Sequence, residues 1–258
     1  MRVQPFAEPL DAGSGRTGVL LCHGFTGSPH SMRPWGTYLV DHGLRVVVPR
    51  LPGHGTTWQD LNRTGWQDWY VAVERALLRL RDECDHVVVG GQSMGACLAL
   101  RLAQTHPSAV HGLMLVNPAL WSRDPRLLVL PVLHRVVPSL AAIGHDIHKP
   151  GVHEGAYDRT PLSALYSLTR LWRIVAADLP KVTQPLLVFR SLQDHVLDGS
   201  SLRLLRSRVG SREIEEHALP DSYHVATLDY DAPTIFEVSR GFVERVCRRA
   251  AGARAAGR

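Results

Sequence analysis

A serine set between two glycines, Gly91-Gln92-Ser93-Met94-Gly95, is the first place where this chain could do chemistry. An apolar run over 86–89 precedes it and an apolar helical stretch over 94–104 follows it. In that strand-turn-helix setting the G-x-S-x-G pattern marks a nucleophilic serine. The reason is steric. A sharp turn strains the serine backbone and lifts its hydroxyl over the edge of a sheet, and the flanking glycines remove side chains that would collide there. The N-terminus of the following helix adds a favourable dipole for a developing oxyanion.

A serine hydroxyl needs a base, and the base needs a carboxylate to fix its tautomer. In chains with this turn the acid and then the histidine follow the serine. The apolar run 185–189 leads into Arg190-Ser191-Leu192-Gln193-Asp194-His195, so Asp194 sits on the loop just past a strand. Asp198, slightly further along, stays open as an alternative acid. Ser222-Tyr223-His224 lies between the last strand and the last helix, which is the place for the base. Asp221 is too close to His224 in sequence and reads as a turn former, and neither His195 nor His217 has the right location. An oxyanion hole needs preorganised N–H donors. One comes from Met94, the residue after the nucleophile. The other comes from the loop after an early strand, where Leu21-Cys22 runs into His23-Gly24-Phe25-Thr26-Gly27, and Phe25 is the candidate. Both donate through backbone, so their side chains should tolerate substitution better than Ser93 does.

These groups are positioned by an alternation of short apolar runs and longer helical patterns. That alternation predicts a largely parallel sheet with helices on both faces. Strands are expected at 17–22, 44–48, 86–89, 112–116 and 185–189, with an edge strand at 214–218. Helices are expected at 30–42, 66–84 and 94–104, and from Pro233 onward. Trp69, Val73, Ala76 and Leu80 fall on one helical face. The alternation stops between Pro118 and Lys181, where prolines punctuate the chain and an apolar stripe runs through Leu165, Leu168, Trp172, Val175 and Leu179. We read residues 1–258 as one α/β domain, 119–180 as a cap inserted after the strand ending near Val116, and 250–258 as a disordered tail. The apolar stretch 127–137 is expected to line an acyl-chain tunnel, to present an apolar rim to lipid, or simply to pack the cap on the core.

Composition narrows the function classes. With 45% hydrophobic and 21% charged residues the chain is an ordinary globular protein. Its net charge of +5 is spread, and lysine occurs only at Lys149 and Lys181. No basic run interleaves with aromatics, so nucleic acid is excluded as a partner. The spacing of Cys22, Cys84, Cys97 and Cys247 fits neither a zinc site nor a CxxC redox pair. Reduced thiols in a cytoplasmic protein are the expectation. The N-terminus lacks the profile of a signal peptide. No apolar stretch is long enough to span a bilayer.

The segments HGFTGSPHSMRP at 23–34, PRLPGHGT at 49–56, GQSMG at 91–95 and DSYHVATLDYDAP at 221–233 resemble those of bacterial monoacylglycerol lipases and the related bacterial carboxylesterases. The resemblance implies an α/β-hydrolase fold with a small cap and no cofactor or metal. It places the catalytic triad on Ser93, Asp194 and His224 and the oxyanion donors on Phe25 and Met94. In the cap it places an apolar wall at Ile143 and a polar contact for the glycerol headgroup at Glu154. The implied activity is hydrolysis of monoacylglycerols to glycerol and fatty acid through an acyl-enzyme, with transient contact to a lipid surface. A general carboxylesterase for short- to medium-chain esters is the alternative, and a non-catalytic ligand-binding module on the same fold is a remote one. Gln92 and Ala96 depart from the residues common in relatives, and modest packing effects are expected from both.

Overall fold

Strands that are apolar on both faces can bury their surface only as the centre of a layered domain. In the computed structural model, which describes residues 3–142 and 146–256, the strands in chain order are β1 (Leu10–Ala12), β2 (Thr17–Cys22), β3 (Arg45–Val48), β4 (His86–Gln92), β5 (Gly112–Val116), β6 (Ser139–Ala141), β7 (Arg159–Pro161), β8 (Leu186–Ser191) and β9 (Ile214–Leu219). The helices are α1 (Arg33–Asp41), α2 (Trp58–Leu61), α3 (Trp66–Glu83), α4 (Met94–Thr105), α5 (Leu130–Leu133), α6 (Leu162–Asp178), α7 (Ser200–Arg208) and α8 (Ala232–Ala256). The main sheet has the order β1-β3-β2-β4-β5-β8-β9. Its pairings are parallel except for β1 with β3. β6 and β7 form a separate antiparallel pair.

Two apolar layers close over the sheet. Trp69, Val73, Leu77 and Leu80 of α3 pack one face together with Leu98 and Leu102 of α4. Trp35 and Leu39 of α1 pack the other, with Ile235 and Phe242 of α8. α4 is apolar nearly all round and buried throughout most of its length, as its sequence predicts. Gly43, with φ of +82°, ends the first helix region in the left-handed conformation that glycine adopts most easily. Cys22 pairs with Gly91, and Gln92 pairs with Val116. The parallel strands therefore end level, and the loops at their carboxyl ends meet in one place, where open α/β sheets form their crevice.

The structure extends the sequence reading in several places. β4 continues past Val89 to Gln92. Glycines weaken a strand, but Gly90 and Gly91 are paired on both sides, to β2 and to β5. A side chain at Gly90 would press on Leu21 and Trp35. α8 runs on through Ala256, past the point where the sequence reading places a disordered tail. The alanines and arginines there are strong helix formers. β1, the β6–β7 pair, α2 and α7 add to the elements expected from sequence. The segment between β5 and β8 holds β6, β7, α5 and α6. Leu168, Trp172, Val175 and Leu179 are its buried stripe. Among the described residues no helix is long and apolar enough to cross a membrane.

Candidate active site

Ser93 sits between β4 and α4 with φ of 54° and ψ of −116°, a conformation that costs an L-residue free energy. The turn is held on both sides. Ser93 N–H donates to Val116 C=O at 3.0 Å, and its C=O accepts from Ala96 and Ala119 N–H at 3.1 and 3.3 Å. A Cβ on Gly95 would run into the carbonyl of Cys22, and one on Gly91 would run into Gly95. Those two close approaches are what the glycines of the motif permit.

The structure brings Ser93, His224 and Asp194 together. A carboxylate can only accept, so the bond to Asp194 puts the imidazole proton on Nδ1. His224 Nδ1–H donates to Asp194 Oδ2 at 2.8 Å. Nε2 is then free to accept from the Ser93 hydroxyl at 3.0 Å. Val196 and Leu197 N–H both donate to Asp194 Oδ1 at 2.8 Å and fix the acid. Asp198 takes another role, accepting from Ser200 N–H at 2.9 Å. His217 pairs with Glu215 within β9 at 2.9 Å.

The electrostatics agree with this geometry. Burial pushes the Asp194 carboxyl up, but its bond to His224, the imidazole charge and the two N–H donors outweigh that and hold it below the usual range. Burial pulls His224 down, but the Asp194 hydrogen bond and the charges of Asp194, Glu154 and Asp146 outweigh it and hold His224 above the ordinary imidazole value. Glu154 is 7% exposed. Burial pushes its carboxyl up to about 7, against the opposing charge of His224. Among the described residues no donor is hydrogen-bonded to that carboxyl, and its Oε1 lies where a Cβ on Gly27 would come within 2.7 Å.

The loop after β2 is built around a neutral histidine. His23 is fully buried, and burial lowers it to about 4. Its Nδ1–H donates to Gly24 C=O at 3.0 Å, and Leu51 N–H donates to its Nε2 at 3.2 Å. Gly24 lies directly against Ser93, since a Cβ there would be 3.6 Å from the serine Cβ. Phe25 anchors the loop by packing its ring 5.9 Å from that of Trp69. Met94 is the first residue of α4, where backbone N–H groups have no acceptor within the helix. Phe25 thus lies on the loop whose Gly24 touches Ser93, and Met94 follows Ser93 directly in the chain.

These loops open into a cavity of about 270 Å³. Its polar wall includes Ser93, His224, Asp146 and Glu154, and its apolar wall includes Leu127, Leu130, Leu133, Leu165 and Trp172. The stretch 127–137 is therefore divided. Leu127, Leu130 and Leu133 face the cavity, whereas Leu128, Val132 and Val136 are 83%, 70% and 75% exposed. Ile143 lies outside the described residues. Among those described, no group of His, Cys, Asp and Glu is arranged to hold a metal.

Sequence reasoning missed two side chains that stabilise the site. Asn117, at φ of 43°, donates through Nδ2 to Ser191 Oγ and to His224 C=O, both at 2.9 Å. Its Oδ1 accepts from Ser191 N–H at 2.9 Å, so one amide ties the acid loop to the base loop. An asparagine just past a strand and before a proline is the available signal, because asparagine tolerates positive φ. Gln92 accepts the Thr227 hydroxyl at 2.6 Å and braces the serine turn against the loop carrying His224. That is more than the packing role expected of it.

The family described as Hydrolase_4, "Serine aminopeptidase, S33", matches residues 13–231. The thermostable monoacylglycerol lipase of Bacillus sp. (strain H-257) is 41% identical over 92% of this chain and 94% of its own length. The carboxylesterase of Bacillus subtilis (strain 168) is 24% identical over 93% of this chain and 97% of its own. A solved structure from work on the metagenome-derived lipolytic enzymes LipS and LipT superimposes with a TM-score of 0.91 at 38% identity, covering 95% of this chain and 100% of that one. The chain belongs to the Hydrolase_4 family of serine hydrolases, on the α/β-hydrolase fold.

Proposed function

We propose that this protein is a serine esterase that hydrolyses monoacylglycerols to glycerol and free fatty acid. Ser93 attacks the ester carbonyl while His224 takes its proton. Asp194 holds the imidazole in the right tautomer and stabilises its charged form. Phe25 and Met94 N–H groups receive the oxyanion. His224 then protonates the departing glycerol and activates water for deacylation. The observation that carries the reading is the cavity itself, where a buried carboxyl with no hydrogen-bond donor among the described residues and an apolar wall share one space with Ser93. A monoacylglycerol has both complements, a hydroxyl-bearing headgroup for Glu154 and an acyl chain for the leucines. The likeness to the Bacillus lipase supports the same substrate. The likeness to the Bacillus subtilis carboxylesterase supports a second reading, a general esterase for short- to medium-chain esters.

The segment 119–180 serves as the cap in this reading. Its exposed Leu128, Val132 and Val136 make transient contact with a lipid assembly from which substrate is drawn. Cytoplasmic residence accords with the free thiols of Cys22, Cys84, Cys97 and Cys247.

The test is hydrolysis of a medium-chain monoacylglycerol beside diacylglycerol, triacylglycerol, a short p-nitrophenyl ester and an aminoacyl p-nitroanilide. Strong preference for monoacylglycerol is expected. Glu154→Ala should raise KM for monoacylglycerol about 10-fold, the loss of one good hydrogen bond in a dry site, and leave KM for the glycerol-free ester unchanged. Equal effects on both substrates would remove the headgroup role. Turnover of the short ester alone would move the protein to the carboxylesterases, and turnover of the anilide alone would move it to the peptidases.

The same chemistry sets the pH profile. His224 must be neutral to accept the serine proton, and its neighbours hold it above the ordinary imidazole value. Activity should therefore fall as pH drops through that raised value, with the acidic limb of kcat/KM centred above the ordinary imidazole value. A limb centred below that value would contradict the placement of the base.

A further inference from the structure

One carboxylate beside the triad has no part in the reaction as described. Asp146 lies in the stretch between β6 and β7, with its side chain 13% exposed. Its Oδ2 accepts from His224 N–H at 3.0 Å and from His195 N–H at 3.1 Å. Its Oδ1 accepts from His195 Nδ1–H at 2.8 Å. Its own C=O accepts from Val225 N–H at 3.0 Å. His195 is the residue after Asp194, so a single carboxylate grips the backbone of both the acid loop and the base loop.

The grip is reciprocated. Asp229, buried in the base loop, accepts from His148 and Lys149 N–H at 2.7 and 2.9 Å. It also accepts from Tyr223 N–H at 2.9 Å. The His148 ring stacks on Tyr223 with centroids 4.6 Å apart. Two carboxylates thus stitch the inserted segment to the triad loops in opposite directions. They differ in charge placement. The negative groups that act most strongly on His224 are Asp194, Glu154 and Asp146. The titratable neighbours of Asp146 are His195, whose ring Nδ1–H donates to it, and His224, which reaches it through its backbone N–H.

We propose that Asp146 is a positioning residue for ester hydrolysis, a carboxylate supplied by the inserted segment that locks the Asp194 and His224 loops in register and adds negative charge beside the imidazole. The proposal rests on the esterase reading above. A triad needs its base placed to a fraction of an ångström, and small displacements cost catalysis heavily. Two of the three donors to the Asp146 carboxylate are backbone N–H groups, which do not titrate. The lock also makes the completeness of the triad depend on the inserted segment being seated.

The test compares the wild type with Asp146→Asn, Asp146→Glu and Asp229→Asn in the full chain, measuring kcat, KM, Tm and the pH profile on one ester. Asp146→Asn should lower kcat about 10- to 100-fold with KM little changed. It should also move the acidic limb to lower pH, because removing a negative charge destabilises the imidazolium. Asp146→Glu keeps the charge and should keep the limb in place. Asp229→Asn should lower Tm without moving the limb. Wild-type kcat and an unmoved limb in Asp146→Asn would overturn the proposal, as would an equal limb shift in Asp229→Asn. Should Asp146→Asn fail to fold, His195→Ala removes the exposed ring that orients the carboxylate. It should lower kcat about threefold, which corresponds to a fraction of a kcal/mol, and an unchanged kcat there would overturn the proposal too. A wild-type protein inert on every ester would instead condemn the esterase reading.

Discussion

Ser93→Ala should abolish ester hydrolysis, with kcat/KM falling by about 10⁴- to 10⁶-fold, or about 5–8 kcal/mol of transition-state stabilisation. The protein should stay folded. The hydroxyl removed points at His224 and the cavity, and its loss leaves Nε2 facing that space. The strained turn is kept by the backbone bonds of Ser93 to Val116, Ala96 and Ala119, which alanine retains. Labelling by a fluorophosphonate should disappear with the activity. His224→Ala should cost nearly as much, and the double variant hardly more than either single one, because the serine and its base act as a unit. Additive losses would mean that the two residues work independently. Retention of a tenth or more of the activity in Ser93→Ala would mean that the nucleophile lies elsewhere.

The part of this site that is legible in the sequence is the part written locally. Ser93 is flanked by glycines whose purpose is a close approach that the structure displays at Gly91 and Gly95. His224 and Asp194 are identified by place, each on the loop after a late strand. Place alone does not separate Asp194 from Asp198, which lies on the same loop. Only the hydrogen bonds do so, one carboxylate meeting His224 and the other Ser200 N–H. The contacts that Asn117, Gln92 and Asp146 make are beyond the reach of sequence for a different reason, even though the place of Asn117 before a proline hints at its backbone. Each acts across more than 70 positions of chain or across a loop contact that no local pattern encodes.

The elements show the same division. β2 and β5 are apolar throughout and appear with their expected bounds. β1, β6 and β7 are too short to display an alternation, and they exist because a neighbouring edge offers backbone partners. The stretch 127–137 has no sustained period. Nothing in its pattern sorts its leucines and valines into those that line the cavity and those left exposed. The structure sorts them with a 3-10 turn over Pro125–Leu128 followed at once by α5, so that Leu127 and Leu130 turn inward while Leu128 and Val132 turn out.

Gly95→Ala should be the most damaging conservative change in the core. Gly95 has ordinary helical backbone, so the demand for glycine there is not conformational. It arises because α4 crosses the end of β2 at the carbonyl of Cys22, with the His23 carbonyl beside it. A methyl group would meet backbone on both, and backbone cannot rotate away as a side chain can. Overpacking of a side-chain core costs about 1–3 kcal/mol. The upper end applies here, which for a domain of this size lowers Tm by about 6–12 °C. Relief requires α4 to move away from β2. That motion carries Ser93 and Met94 away from the loop bearing Phe25, so kcat should fall by about 100-fold even where the protein is folded. Gly43→Ala is the matched control. Gly43 has φ of +82°, but among the described residues no heavy atom beyond its chain neighbours lies within 4 Å of the place its methyl group would take, so the change adds left-handed strain without crowding. It should cost about 1–2 kcal/mol and leave kcat intact. A Gly95→Ala protein with wild-type Tm and turnover would show that the helix does not need its close seat on β2 to present the nucleophile.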